Sequence, residues 1–131
     1  DVAPIDDPIV KAWAQILTLL KYYEVLYEIS FSLQKQEVRL KNLVPTQPQV
    51  LKRQIEAIER IIVPIVCIEH HDKFYILDGH ARSLRARKLR REFIRAITLV
   101  PSSEIDFGIV KMANYLDLSS LEDIKIIDNL K

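Results

Sequence analysis

Apolar residues recur every three or four positions from Ile9 to about Ile29, with Lys11, Gln15, Thr18, Lys21 and Glu28 set between them. This pattern predicts a long amphipathic helix. Asp7-Pro8 is a start signal, with Asp at the N-cap and Pro at the first helical position. The apolar face, with Trp13 and Leu20, is wide enough to need a partner, either the chain's own sheet or a second copy. Ser30–Glu37 reads as loop or fraying helix. Val38–Val44 alternates loosely and predicts a first strand, which Pro45-Thr46-Gln47-Pro48 breaks. Leu51, Ile55, Ile58 and Ile62 fall at helical spacing and predict a helix over Val50–Ile62.

Pro64 precedes a second strand, Ile65–Ile68, and His70-His71-Asp72-Lys73 reads as a polar hairpin. A third strand, Phe74–Leu77, leads to Asp78-Gly79 and a helix from Ala81 to Arg91. Phe93–Val100 is a fourth strand. Phe107–Tyr115 is a further helical segment, capped by Ser103 or Asp106, and Ser119 or Ser120 caps a last turn. Ile124–Ile127 fits strand or helix equally. The fold class is α+β: a small mixed sheet with helices, preceded by the long N-terminal helix. The expected division is a helical extension over 1–36 and a folded domain over 37–131.

Composition narrows the function. The 131 residues suit one hydrophobic core, and a net charge of +1 imposes no global field for nucleic acid or membrane. Charges within the N-terminal helix argue against a membrane span. No secretory signal is visible, which points to the cytoplasm. The single Cys67 excludes an internal disulfide and a multi-cysteine zinc site. Lying in an apolar run, it reads as a buried, inert thiol. His70-His71 suggests metal at first sight, but strand geometry would splay the pair into solvent. Six arginines and one lysine between Arg82 and Arg95 face the single acid Glu92. Arg85, Lys88 and Arg91 form a stripe on the predicted helix, either a solvated basic face or a phosphate contact.

The densest chemistry lies at Asp78-Gly79-His80-Ala81-Arg82. Gly79 is one of only two glycines in the chain. A strand, a glycine turn and a helix start together place unpaired backbone N–H groups and the positive end of the helix dipole at one point, which is an anion site. His80 and Arg82 stand where they can close on the same anion. The competing reading is an ordinary strand-to-helix turn with a surface arginine.

Across residues 37 to 100, the strand, Pro-Thr-Gln-Pro loop, helix, Pro64-Ile65-Val66, hairpin and Asp78-Gly79-His80-Ala81-Arg82 turn resemble the ParB/sulfiredoxin superfamily. The resemblance implies a turn at Gly79 that holds nucleotide phosphates. Sulfiredoxins carry their nucleophilic cysteine where this chain has His80, so that chemistry does not carry over. ParB proteins bind CTP through a Gly-Glu-Arg-Arg motif that Gly79-His80-Ala81-Arg82 matches poorly. The archaeal free serine kinases have Asp-Gly-His-His-Arg, which Asp78, Gly79, His80 and Arg82 match while Ala81 departs.

That kinase resemblance implies ATP or ADP with Mg²⁺, and serine or another small acceptor. Asp78, His80 and Gln47 are then the catalytic candidates. Gly79, His80, Ala81, Arg82 and Thr46 are the nucleotide-binding candidates, with Asp78 as the Mg²⁺ ligand. Gln47 stands where those kinases use a glutamate base. An amide cannot take a proton from a hydroxyl, so either Glu69 or another carboxylate substitutes, or positioning and electrostatics alone serve, or the protein is a binder. The alternative is a ParB-like, nucleotide-responsive module on DNA, with nuclease activity third because clustered carboxylates are missing. Where a second copy and not the chain's own sheet covers the N-terminal helix, the assembly is a homodimer through that helix.

Overall fold

The computed structural model describes residues 8–105 and 107–128. A 20-residue helix, α1 (Pro8–Tyr27), opens the fold. It starts at the predicted proline; Asp7 and the Trp13 side chain lie outside the described residues. Strand β1 (Phe31–Arg39) follows, then a 3₁₀ turn at Leu40–Asn42 and the two-residue strand β2 (Leu43–Val44). Next come β3 (Gln49–Leu51), α2 (Lys52–Glu56), β4 (Ile65–His70) and β5 (Lys73–Asp78). The chain continues through α3 (His80–Lys88), β6 (Phe93–Pro101), α4 (Gly108–Tyr115), a 3₁₀ turn at Leu121–Asp123 and β7 (Lys125–Ile127).

The architecture is mixed α+β. Five strands form one sheet in the order β1-β6-β4-β5-β2, and β3 pairs with β7 in a separate parallel ribbon. Within the large sheet β1–β6 and β4–β5 are antiparallel, while β4–β6 and β5–β2 are parallel. Strand β4 shows how the core is divided. Side chains alternate across a strand, so Ile65 and Cys67 enter one buried cluster with Leu84 and Ala86 of α3, while Val66 and Ile68 enter another. The second cluster holds Tyr23 of α1, Phe107, and Val110 and Ala113 of α4. The sheet is thus covered by α2 and α3 on one face and by α1 and α4 on the other. Leu20 is half-buried against the second cluster. The chain's own sheet therefore takes one side of α1.

The predicted strand Val38–Val44 is split by the 3₁₀ turn at Leu40–Asn42 into the end of β1 and β2, and three further elements differ from the sequence expectation. Ser30–Glu37 is not loop or helix: β1 runs from Phe31 and pairs with β6 along its whole length, from Phe31–Pro101 to Arg39–Phe93. The expected boundary between residues 36 and 37 falls inside this strand. Being an edge strand, β1 leaves Ser32, Gln34, Lys35 and Glu37 exposed, which masks its alternation.

The helix predicted over Val50–Ile62 shrinks to Lys52–Glu56, because Gln49–Leu51 pairs with Lys125–Ile127. Beyond it, the carbonyls of Ile62, Val63 and Pro64 accept from arginine side chains, Ile62 from Arg95 and the other two from Arg82. The third difference lies at the β4–β5 turn, where His71 and Asp72 take φ of 50° and 62°. This left-handed pair closes the hairpin and folds the His71 ring back, 4.2 Å between centroids from His70. The two rings therefore touch rather than splay, and His71 is exposed.

Candidate functional site

Strand β5 delivers Asp78 to the end of the sheet, and Gly79 turns the chain into α3 with φ 116° and ψ 27°. Two separate demands fix glycine here. Its φ lies in the region that side-chain-bearing residues rarely adopt. A Cβ at this position would also meet Ile65 Cγ2 at 2.4 Å and Ile65 Cβ at 2.8 Å. The turn is therefore packed directly on β4. The Gly79 carbonyl starts the helix by accepting from the Ser83 N–H at 2.9 Å and the Ser83 hydroxyl at 2.8 Å. The N–H groups of His80, Ala81 and Arg82 occupy the first helical turn, where no intrahelical acceptor exists.

A cleft of about 380 Å³ opens at this point. One wall is Leu77, Asp78, Gly79, His80, Ala81 and Arg82; the other is Gln47, Val50, Gln54 and Ile58. Of the catalytic and nucleotide-binding candidates Gln47, Thr46, Asp78, Gly79, His80, Ala81 and Arg82, Thr46 alone does not line it. The Thr46 hydroxyl is committed to the Ile76 carbonyl at 2.5 Å, and its backbone N–H donates to His80 Nε2 at 2.9 Å. Thr46 ties the Pro-Thr-Gln-Pro loop to the turn instead of facing a ligand. Gln47 does reach the cleft, with its side-chain amide donating to the Gln49 carbonyl at 2.6 Å. Gln54, Val50 and Ile58 were missed as site residues because the long predicted helix placed them on a separate core-facing element.

His80 is buried, and burial lowers its imidazole pKa to about 4, outweighing the Asp78 carboxylate that favours the cation. The ring is therefore neutral near pH 7. Since Nε2 accepts from Thr46, the proton sits on Nδ1. That atom has no partner among the described residues and is the ring's donor to the cleft that His80 lines.

This burial predicts a pH dependence of stability. An unfolded histidine titrates near pH 6.5, so between about 4 and 6.5 the unfolded chain binds the extra proton. The His80 contribution is complete above about pH 6.5 and is lost as pH falls, by about 3 kcal/mol at pH 4. Urea unfolding at pH 7, 5 and 4 measures it. His80→Gln supplies a non-titrating acceptor for Thr46, and its pH slope is expected to flatten by one proton.

Arg82 is not a free surface arginine. Its Nη1 donates to the Val63 carbonyl at 2.9 Å and the Pro64 carbonyl at 2.7 Å, and its Nη2 donates to Asp78 Oδ2 at 2.9 Å. With its side chain 17% exposed, it is a clamp between the β5–α3 turn and the segment leading into β4. Three of its five N–H groups are spent, leaving one on Nη2 and that of Nε. Asp78 is more open, at 40%, and Oδ1 makes no hydrogen bond or ion pair with a described residue.

Glu69 and the predicted arginine stripe do not join this site. Glu69 is at the far end of the β4–β5 hairpin, paired with Phe74, whereas Asp78 pairs with Val66. It lines a separate depression with His70, His71 and Glu104 and supplies no base to the cleft. The stripe is broken as well: α3 ends at Lys88, Arg85 is half-buried, and Arg91 follows the left-handed Arg90 outside the helix. Cys67 is buried beside Thr98, and burial raises its thiol to about 11, in keeping with an inert residue. No cluster of three or more His, Cys, Asp or Glu side chains suited to a metal ion exists among the described residues. No helix among them is long and apolar enough to cross a membrane.

No protein-family model matches the chain. It is 30% identical over 118 residues to the uncharacterized protein MJ0188 of Methanocaldococcus jannaschii. That alignment covers 85% of this chain and 44% of the relative, so the chain spans less than half the relative's length. The structure is similar to that of protein Atu1540 from Agrobacterium tumefaciens, with a TM-score of 0.54 and 17% identity. The superposition covers 72% of this chain and 63% of that one, and it shows a shared fold alone.

Proposed function

We propose that the cleft at the start of α3 binds the phosphates of a nucleotide, on a fold of the ParB/sulfiredoxin kind, and that the protein transfers phosphate from ATP or ADP to a small hydroxyl acceptor such as serine. The observation that carries this reading is the turn itself. Gly79, at φ 116°, begins a nine-residue helix at the floor of an open cleft, with Asp78, His80 and Arg82 around it. Unpaired N–H groups and the helix dipole favour an anion there. The His80 Nδ1–H and the uncommitted N–H groups of Arg82 add directional donors. Val50, Ile58 and Leu77 give the cleft apolar surface for the rest of the ligand.

Asp78 fits Mg²⁺ in one way only. Arg82 holds Oδ2, which leaves Oδ1 as a single carboxylate oxygen, and Mg²⁺ accepts so few protein ligands when phosphates and waters complete its shell. Bound there, the ion would neutralise phosphate charge. Asp78 is the only carboxylate among the described residues that line the cleft. Gln47 cannot serve as a base. The transfer thus rests on positioning and electrostatics, which supply most of the catalysis in phosphoryl transfer.

The exposed Lys88, Arg90 and Arg91 lie at the C-terminal end of α3, where cations are favoured by the helix dipole. That local reason accounts for them without DNA. The direct assay is phosphorylation of serine with ATP or ADP and Mg²⁺. Product formation that depends on nucleotide supports the transfer, and its absence with every nucleotide that binds reduces the proposal to a nucleotide-binding protein.

A further inference from the structure

Helix α1 is apolar on both sides. Leu19, Leu20, Tyr23 and Tyr27 cover the sheet, yet Leu17, Tyr22, Val25 and Leu26 on the other side are 58%, 59%, 74% and 52% exposed. These four, with Thr18 and Lys21, line one shallow apolar depression along the helix. Thr18 adds no unsatisfied donor, because its hydroxyl is spent on the Ala14 carbonyl at 2.9 Å. A helix apolar all round is normally buried.

We propose that this face docks against the same face of a second copy, with the two α1 helices antiparallel. The charge distribution selects that occupant. Glu24 lies in the last turn of α1 and Glu28 just beyond it, and this last turn contains no basic residue. Acids at a helix C-terminus oppose the helix dipole. Neither glutamate makes an ion pair with a described residue. Antiparallel packing centred between Lys21 and Val25 sets Lys21 of each copy beside Glu24 and Glu28 of the other. A parallel pair would stack like charges instead. One patch therefore supplies both halves of a closed two-fold contact.

Sedimentation equilibrium on the full chain tests this. The wild type is expected at twice the 15.3 kDa chain mass. Val25→Lys places an ammonium opposite Lys21 of the other copy at the centre of the contact and is expected to raise the dimer dissociation constant at least about a hundredfold. Val25 is exposed in the single chain, so circular dichroism and the melting temperature at low concentration should be unchanged. Lys21→Glu alone should weaken the dimer, and adding Glu24→Lys and Glu28→Lys should restore it. A wild-type monomer at tens of micromolar overturns the proposal and leaves the face to another segment or partner. A dimer indifferent to Val25→Lys overturns it too, and failure of the charge-exchanged variant to recover overturns the antiparallel arrangement.

Discussion

Gly79→Val is expected to destabilise the fold by roughly 4 kcal/mol or more. Two costs add at this position. A β-branched residue at φ 116° carries backbone strain of about 1–3 kcal/mol. Its Cβ must also enter space held by Ile65, whose Cγ2 would be 2.4 Å away, in a close-packed core where overpacking costs about 1–3 kcal/mol or more. The added atoms point at β4 and not into the cleft, so this is a lesion in the fold and not a test of ligand binding. The sum of roughly 4 kcal/mol or more is a large share of a typical domain's 5–15 kcal/mol. Urea unfolding of Gly79→Ala, the milder substitution, makes the effect measurable. In an Ile65→Ala background, which removes the closest contact, the cost of Gly79→Ala should shrink but not vanish, because the φ strain stays. Equal cost in both backgrounds would remove the steric half of the explanation.

Arg82→Ala is expected to destabilise the protein by about 3 kcal/mol. The guanidinium satisfies the Val63 and Pro64 carbonyls, and hydrogen bonds from a charged donor contribute about 1.5–3 kcal/mol each. The pair with Asp78 adds less, since Asp78 is 40% exposed and partly screened. For a domain of this size the loss corresponds to a melting temperature lower by roughly 10 °C. Arg82→Lys should fall between, since one ammonium cannot span two carbonyls and a carboxylate in the same planar fork. An unchanged melting temperature in Arg82→Ala would show that the guanidinium is not a clamp and is available in full to a ligand. As the clamp stands, a binding defect in Arg82→Ala mixes loss of a donor with loss of loop position, so the variant cannot locate the site by itself.

The sequence carried the turn well, because its signals are local. A β-prone run, Asp-Gly and a helix-forming stretch each act within a few residues, and β4, β5, α3 and β6 formed close to their predicted bounds. What escaped it depended on distant partners. Phe31–Arg39 pairs as an edge strand with residues more than fifty positions away, and most of its side chains face water, so no strong alternation marks it. Gln49–Leu51 is a strand only because Lys125–Ile127 lies beside it. The roles within the cleft were also hidden. Nothing local tells that Thr46 spends its hydroxyl on Ile76, that His80 accepts from the Thr46 backbone N–H, or that Arg82 holds two backbone carbonyls. Each is a contact between segments 18 to 34 residues apart in the chain.

The central claim is that phosphate binds at the N-terminus of α3. Ala81→Asp tests it without disturbing the clamp. Ala81 lines the cleft at the second helical position, where an acidic side chain suits the helix dipole and keeps the helix. Its carboxylate would occupy and repel the position assigned to phosphate. Calorimetric titration of ATP, ADP and CTP, each with Mg²⁺, into wild type and Ala81→Asp is the measurement. Saturable one-to-one binding of at least one nucleotide by the wild type, weakened tenfold or more in a folded Ala81→Asp, is the predicted result. No binding of any of the three by the wild type, or equal affinity in both proteins, would contradict the account.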